Sequence, residues 1–420
     1  MMEERRRMRY VKAQQRAEKQ ARRKKLFIRL GIAAIVLICS LVLVLVLTRK
    51  EPTPDASIQT NPTEAPQDAT AGTEAASNTT VIHYAAAGDL NINETTVAAG
   101  GTGYNYTDTF LDVAHLLADA DIASVNFEGN LCGEPYGTNH SAPQSMATAL
   151  QKAGVDLVQM ANSYSINRGL SGLTTSIDAI RSAGMEPLGV YTSNEDFAQN
   201  KGYTIRIVKG IKLAFVAFTK GMDGMALPPG SENCVNLLYT DYDSAYQDVN
   251  EEKIISVMSA VNKEEPDIVI ALLHWGSEYN NTISKSQESI VDVLQAYGAD
   301  AIIGTHSHYV QKMSYDAQSG KFVAYSLGDF LSDAQRAGSE YSVILDLEIT
   351  KDQITGTAKI TGYSYTPIFT VNEPEQPLKV VRINPAIAAY EGGYLQRVSA
   401  ETYDKMRYAL ERIAARTAGE

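Results

Sequence analysis

His274, His306 and His308 are three of only six histidines in the chain, and each follows a short apolar run. Asp267-Ile-Val-Ile-Ala-Leu-Leu273 leads into His274-Trp-Gly-Ser-Glu278-Tyr279, and Ala301-Ile-Ile-Gly304 leads into Thr305-His306-Ser-His308. Runs of this length and composition predict buried strands. In an open α/β sheet the carboxyl edge of the strands is where ligands bind. Imidazoles two residues apart in an extended segment can address neighbouring metal positions. His274 alone reads equally well as a hydrogen-bonded core residue, and the repeat at the next strand end is what favours ligation. His83, His115 and His140 lie in settings that suggest surface or core residues.

Three earlier apolar runs also end in oxygen-bearing side chains. The first enters Gly88-Asp89-Leu-Asn91, the second Asn126-Phe-Glu128-Gly-Asn130, and the third Ala161-Asn162-Ser163-Tyr164. Taken singly, an Asp or Asn after a strand is most often a turn or cap residue. Taken in order, Asp, Glu, Asn, His and His-x-His at successive strand ends is a donor set for two divalent cations. Such a pair can activate water near neutral pH and clamp a phosphoryl oxygen.

The elements that must position these residues alternate. Strands are expected at 81–87, 122–127, 155–160, 267–273, 300–303 and 322–327, with helices at 145–153, 173–183, 252–263 and 287–297. A hairpin is expected over 203–208 and 211–218, turning at Lys209-Gly210. Strands alternating with helices imply an α/β layered architecture. The carboxy-terminal region, 336–420, reads as strands at 341–350, 356–370 and 378–383 and a closing helix at 400–416, completing the domain that begins at residue 81.

The first eighty residues carry no such pattern. Residues 1–29 hold twelve Arg or Lys against three Glu, and Leu30 to Leu47 follow without a charge or a proline. That run matches the thickness of a bilayer core. A transmembrane helix over 30–48 is expected, with the basic segment cytoplasmic and the rest of the chain extracellular. A cleaved signal peptide is the rival reading, but its apolar core would be shorter, and Thr48-Arg-Lys50 is not a small-residue cleavage site. Residues 49–80 turn to Pro, Thr, Ala, Asp, Glu and Ser, a composition that predicts a disordered tether. Residues 1–50 hold fourteen basic and three acidic side chains, so the formal charge of −12 divides into +11 there and −23 beyond. A surface this acidic argues against nucleic-acid binding, and an anionic substrate would need local cations to receive it. Cys132 and Cys234 could form one disulfide or remain two thiols.

At this point the chain resembles the poly-γ-glutamate capsule-synthesis family (CapA/PgsA-like), whose domain is similar to calcineurin-like metallophosphoesterases. The resemblance covers roughly 82–333. It rests on Ala87-Gly-Asp89, Ala123-Ser-Val-Asn-Phe-Glu128-Gly-Asn130, Ala153-Gly-Val-Asp-Leu-Val-Gln-Met-Ala-Asn162, Leu170-Ser-Gly-Leu-Thr-Thr175, Gly210-Ile-Lys-Leu-Ala-Phe-Val-Ala-Phe-Thr219, His274-Trp-Gly-Ser-Glu-Tyr279, Gly298-Ala-Asp-Ala-Ile-Ile-Gly-Thr-His-Ser-His308 and Tyr325-Ser-Leu-Gly-Asp-Phe330. It implies a metallophosphatase-type sandwich of two sheets flanked by helices. It also implies one or two divalent ions (Mn, Fe or Zn), with Asp89 and His308 on one, His274 and His306 on the other, and Glu128 between them. Glu278 would line the pocket or orient a ligand. The expected role is synthesis or export of poly-γ-glutamate or a related envelope polymer, beside a membrane synthase or export subunits.

The chain departs from the family's Ala-Asn-Asn-His at Ala161-Asn162-Ser163-Tyr164. The metal-binding asparagine becomes Ser163, and the histidine that protonates a leaving group becomes Tyr164, whose ordinary pKa near 10 makes it a poor acid at neutral pH. Asp329 stands where the family shows Asn; it adds a carboxylate near the same edge that could compensate in part, although an Asp in a strand-end turn is the simpler account. Two further readings therefore stay open: a working hydrolase of phosphoesters or polymer bonds, and a scaffold that has kept the fold without turnover.

Overall fold

A computed structural model describes residues 78–395 and 398–419. The expected basic segment, the apolar run at 30–48 and nearly all of the tether lie outside these residues. Among the described residues no helix is long and apolar enough to cross a membrane.

Fourteen strands are described: β1 (Thr79–Asn91), β2 (Ile122–Glu128), β3 (Leu157–Gln159), β4 (Glu186–Leu188), β5 (Tyr203–Val208), β6 (Ile211–Thr219), β7 (Ile268–His274), β8 (Ala301–Thr305), β9 (Met313–Asp316), β10 (Lys321–Ala324), β11 (Asp329–Leu331), β12 (Tyr341–Asp352), β13 (Ala358–Val371) and β14 (Lys379–Arg382). They form two mixed sheets. One runs β14-β13-β12-β1-β2-β3-β4 with β11 against β1, and the other β5-β6-β7-β8-β10-β9. The parallel strands β1 to β3 and β6 to β8 are joined through helices, the crossover that parallel pairing requires.

Alternation of side chains along each strand divides the core into layers. Tyr84 and Ala86 of β1 meet Leu213, Phe215, Ile268 and Ile270 of the other sheet, so the two sheets face one another. The opposite face of the first sheet packs on the helices Gln144–Lys152 and Gly169–Ser182 through Val125, Val158, Leu150 and Ile177. The opposite face of the second packs on Glu251–Asn262 and Lys285–Ala296 through Val216, Ala271, Val257 and Ile290. Strands buried on both faces explain why β7 reads Ile-Val-Ile-Ala-Leu-Leu without alternation. The carboxy-terminal helix, Ala400–Ala418, adds Met406, Ala409 and Ile413 to the layer between the sheets. Cys132 and Cys234 are free thiols.

One expected element is corrected. The strand placed at 322–327 stops at Ala324, and the chain then crosses from the second sheet to the first, where Asp329–Leu331 pairs parallel with β1. Gly328, at φ +80°, turns the crossing, and the Asp89 amide donates to its carbonyl at 2.9 Å. Gly88 makes that approach possible. A Cβ there would lie 1.8 Å from the Gly328 oxygen, a backbone atom with nowhere to move. Gly88→Ala should therefore lower stability by about 3 kcal/mol, as overpacking against rigid structure does; a denaturant melt indistinguishable from wild type would show that the crossing is not fixed in this way.

Candidate metal centre

The carboxyl ends of β1 and β2 in one sheet and of β7 and β8 in the other converge, and their side chains form two buried clusters. Asp89, His308 and Asp329 make the first; Glu128, His274 and His306 make the second. Within each, ligand atoms lie within 4.8 Å of one another. His306 and His308 do not sit in an extended segment as expected. Their φ values of +86° and +59° belong to a left-handed turn after β8, which puts their ring centroids 6.3 Å apart and sends one imidazole to each cluster. Non-glycine residues accept such backbone only where the surroundings impose it. Here the His306 amide donates to Asp89 Oδ2 at 2.9 Å.

In the first cluster, His308 Nδ1 lies 2.8 Å from Asp329 Oδ1 and 3.8 Å from Asp89 Oδ2. Asp329 is therefore a member of the donor set and not a turn residue. In the second, His274 Nδ1 lies 3.3 Å from Glu128 Oε1, and its Nε2 is 3.0 Å from Ser163 Oγ. Asn126 ties the two together: its amide nitrogen is 2.6 Å from Asp89 Oδ1 and 3.3 Å from both Glu128 Oε1 and His274 Nδ1. Asn162 donates to Asn126 Oδ1 at 3.1 Å and to the Phe127 backbone carbonyl at 2.7 Å, which fixes which way the Asn126 side-chain amide faces.

Burial pushes Asp89 up to about 6, a rise that the neighbouring His308 reduces and Asp329 adds to. Burial and then the Asp89 charge hold Glu128 well above the usual carboxylate range. Burial also raises Asp329, again opposed by His308. Burial would lower His308, but Asp329, with Glu128 and Asp89 behind it, outweighs that and holds the imidazole well above its ordinary value. His274 and His306 are pushed far down by burial, so they are neutral and able to ligate. Three carboxylates this close and this dry are costly without cationic charge beyond a single imidazolium. The donor set, mixed carboxylate and neutral imidazole, suits a first-row divalent cation. A cation held there would supply Lewis acidity toward an oxyanion and lower the pKa of a nearby water.

Tyr164 lies beside Ser163, its hydroxyl held protonated far above its ordinary range by burial and by the charges of Glu128 and Glu278. His140, read from sequence as an ordinary residue, stacks on the Tyr164 ring with centroids 3.6 Å apart. A carbonyl can only accept, so the 2.9 Å contact from His140 Nδ1 to the Ile92 carbonyl puts that ring's proton on Nδ1. Burial lowers His140 further, leaving it neutral. Neither group of the stack is a ready proton donor at neutral pH. Glu278 borders a cavity of about 290 Å³ that also meets Ser163, Asp223, His306 and Lys220. Sequence reasoning passed over Lys220, though it directly follows Thr219 at the end of β6, on the same edge as the histidines. Asn126 was seen only as one more polar residue after a strand.

A mixed α/β protein with two buried oxygen- and nitrogen-donor clusters at one edge of two facing sheets is thus defined, each cluster able to hold a divalent ion. The chain belongs to the bacterial capsule synthesis protein PGA_cap family, whose model matches residues 83–334. The match includes every member of both clusters and ends before β12. Among characterised relatives, the chain is 28% identical over 245 residues to the capsule biosynthesis protein CapA of Bacillus anthracis, covering 56% of this chain and 54% of that protein. It is 24% identical over 234 residues to the PGA biosynthesis protein CapA of Bacillus subtilis, covering 55% of each. The chain thus spans about half the length of these relatives. Among solved structures it is similar to the calcineurin-like phosphoesterase YfkN of Bacillus subtilis, with a TM-score of 0.43 and 14% identity over 80% of this chain and 99% of that one.

Proposed function

We propose that this chain is a membrane-anchored, extracytoplasmic protein acting in the synthesis or export of poly-γ-glutamate or a related envelope polymer, through a metal-dependent site of the metallophosphatase type. The observation that carries the reading is the pair of clusters, Asp89-His308-Asp329 and Glu128-His274-His306, in a member of the capsule-synthesis family. Asp89 and His308 would hold one Mn, Fe or Zn ion and His274 and His306 the other, with Glu128 the carboxylate they would share. Ser163 holds His274 and borders the cavity, and Glu278 lines the same cavity. The lipid bilayer and a synthase or export subunit are the proposed partners, the former through the apolar run at 30–48. A scaffold without turnover is the second reading, favoured by the proton-poor Tyr164-His140 stack.

One set of cells tests both role and placement. In a capsule-forming host lacking its own copy, the wild-type chain should restore surface polymer, and His306→Ala with His308→Ala should not. Protease added to the same cells after wall removal should cut residues 51–420. Restoration by the double variant would favour the scaffold, and protection of 51–420 would reverse the proposed orientation.

A further inference from the structure

Lys220 is half-buried at the wall of the cavity in front of the second cluster. Its Nζ donates to the Gly276 carbonyl at 3.0 Å, lies 3.2 Å from His306 Nε2, and sits over the Tyr246 ring at 4.5 Å from the centroid. The turn that follows His274 therefore aims this ammonium at a metal-ligating imidazole. Of the other partly buried lysines, Lys321 is neutralised by Asp300 at 2.8 Å and Lys351 by Asp267 at 2.7 Å, whereas Lys253, also without an ion pair, donates to Asn233 Oδ1 at 2.7 Å and does not line this cavity. Among the described residues Lys220 forms no ion pair. Asp223 and Glu278 border the same cavity without closing on it.

Removing an ammonium from bulk water without a counter-charge is costly, and a chain with so large an acidic excess repels anions overall, so an anion needs a local cation to receive it. Lys220 is where the two facts meet. We propose that Lys220 is the substrate-binding cation of this site, receiving a phosphoryl or carboxylate oxygen of the ligand in the cavity it shares with Ser163 and His306. This rests on the functional reading above for what the ligand is, but not for whether an oxyanion binds. Asp223 and Glu278 border the same cavity, and their charge disfavours a second anionic group beside the first.

The test uses the full-length chain, metal-free and metal-loaded, with two probes measured by calorimetry: inorganic phosphate and a γ-linked glutamate pentapeptide. Lys220→Met keeps the apolar stem and removes the charge; Lys220→Arg keeps the charge. Loss of one charge-assisted hydrogen bond predicts affinity weakened by about tenfold to a hundredfold in Lys220→Met, largely recovered in Lys220→Arg, with metal content and melting temperature unchanged. The probe that shows this dependence identifies the group bound, phosphoryl or carboxylate. Equal affinity of wild type and Lys220→Met for both probes overturns the proposal. Because the metal-free measurement is included, a chain that binds no metal would sink the metal reading while leaving the Lys220 result to stand or fall alone.

Discussion

Purified without chelator, the chain should carry one to two divalent cations per molecule, and His306→Ala with His308→Ala should carry none. Each substitution takes an imidazole from a different cluster, so a single change separates the two. His308→Ala strips the partner of Asp329 and Asp89, and His306→Ala strips Glu128 and His274 of theirs. Losing one of three protein ligands should weaken the affected ion by orders of magnitude, since the remaining carboxylates stay buried and uncompensated. The pH dependence has a definite sign. Asp89 is pushed up to about 6, and Glu128 and His308 lie above their ordinary values, so protons compete with the metal on the acidic side. Affinity should rise from pH 5.5 to pH 8, with protons released on binding. Elemental analysis and titration calorimetry read both effects, and equal metal content in the wild type and the double variant would remove the site as drawn.

The second large effect concerns the leaving group. With Tyr164 holding its proton and His140 neutral beside it, the position at 164 lacks a ready acid. An activated aryl phosphate needs little protonation as it departs, whereas an alkyl phosphate needs a proton in the transition state. The wild type should therefore favour the aryl ester. Ser163→Asn with Tyr164→His should then raise alkyl-ester turnover by up to the ~10²–10⁴-fold that a positioned acid contributes, and aryl-ester turnover much less. His140 makes the outcome more pointed, because an imidazole placed at 164 would stack on a second ring. A restored variant that binds metal but gains nothing on either ester would leave polymer holding, not hydrolysis, as the role of the site.

Much of the site is legible in the sequence because its ligands follow long apolar strands. Ile-Val-Ile-Ala-Leu-Leu ahead of His274 and Ala-Ile-Ile-Gly ahead of His306 announce buried strands, and burial on both faces is what makes such runs continuous. The hairpin of β5 and β6 is equally plain, with Lys209-Gly210 at its turn. Short elements are not legible in this way. β4, β9 and β11 span only three or four residues, too few for a period to show, and β4 contains a proline. The role of Asp329 depends on β11 leaving one sheet for the other, a tertiary event that no local pattern encodes. Asn126 and His140 were hidden for the same reason. Their partners are Asp89 and His274 in one case and Tyr164 in the other, all distant along the chain.

β1 is completed on one side by β12 and near its end by β11, and the amide of His306 reaches Asp89 across 217 residues. Until residues 301–352 are in place, Asp89 has neither Asp329 nor the His306 backbone beside it, and β1 has an open flank. Such long-range closure comes late in folding. The three donors of the first cluster can accordingly act together on an ion only once these last strands have closed.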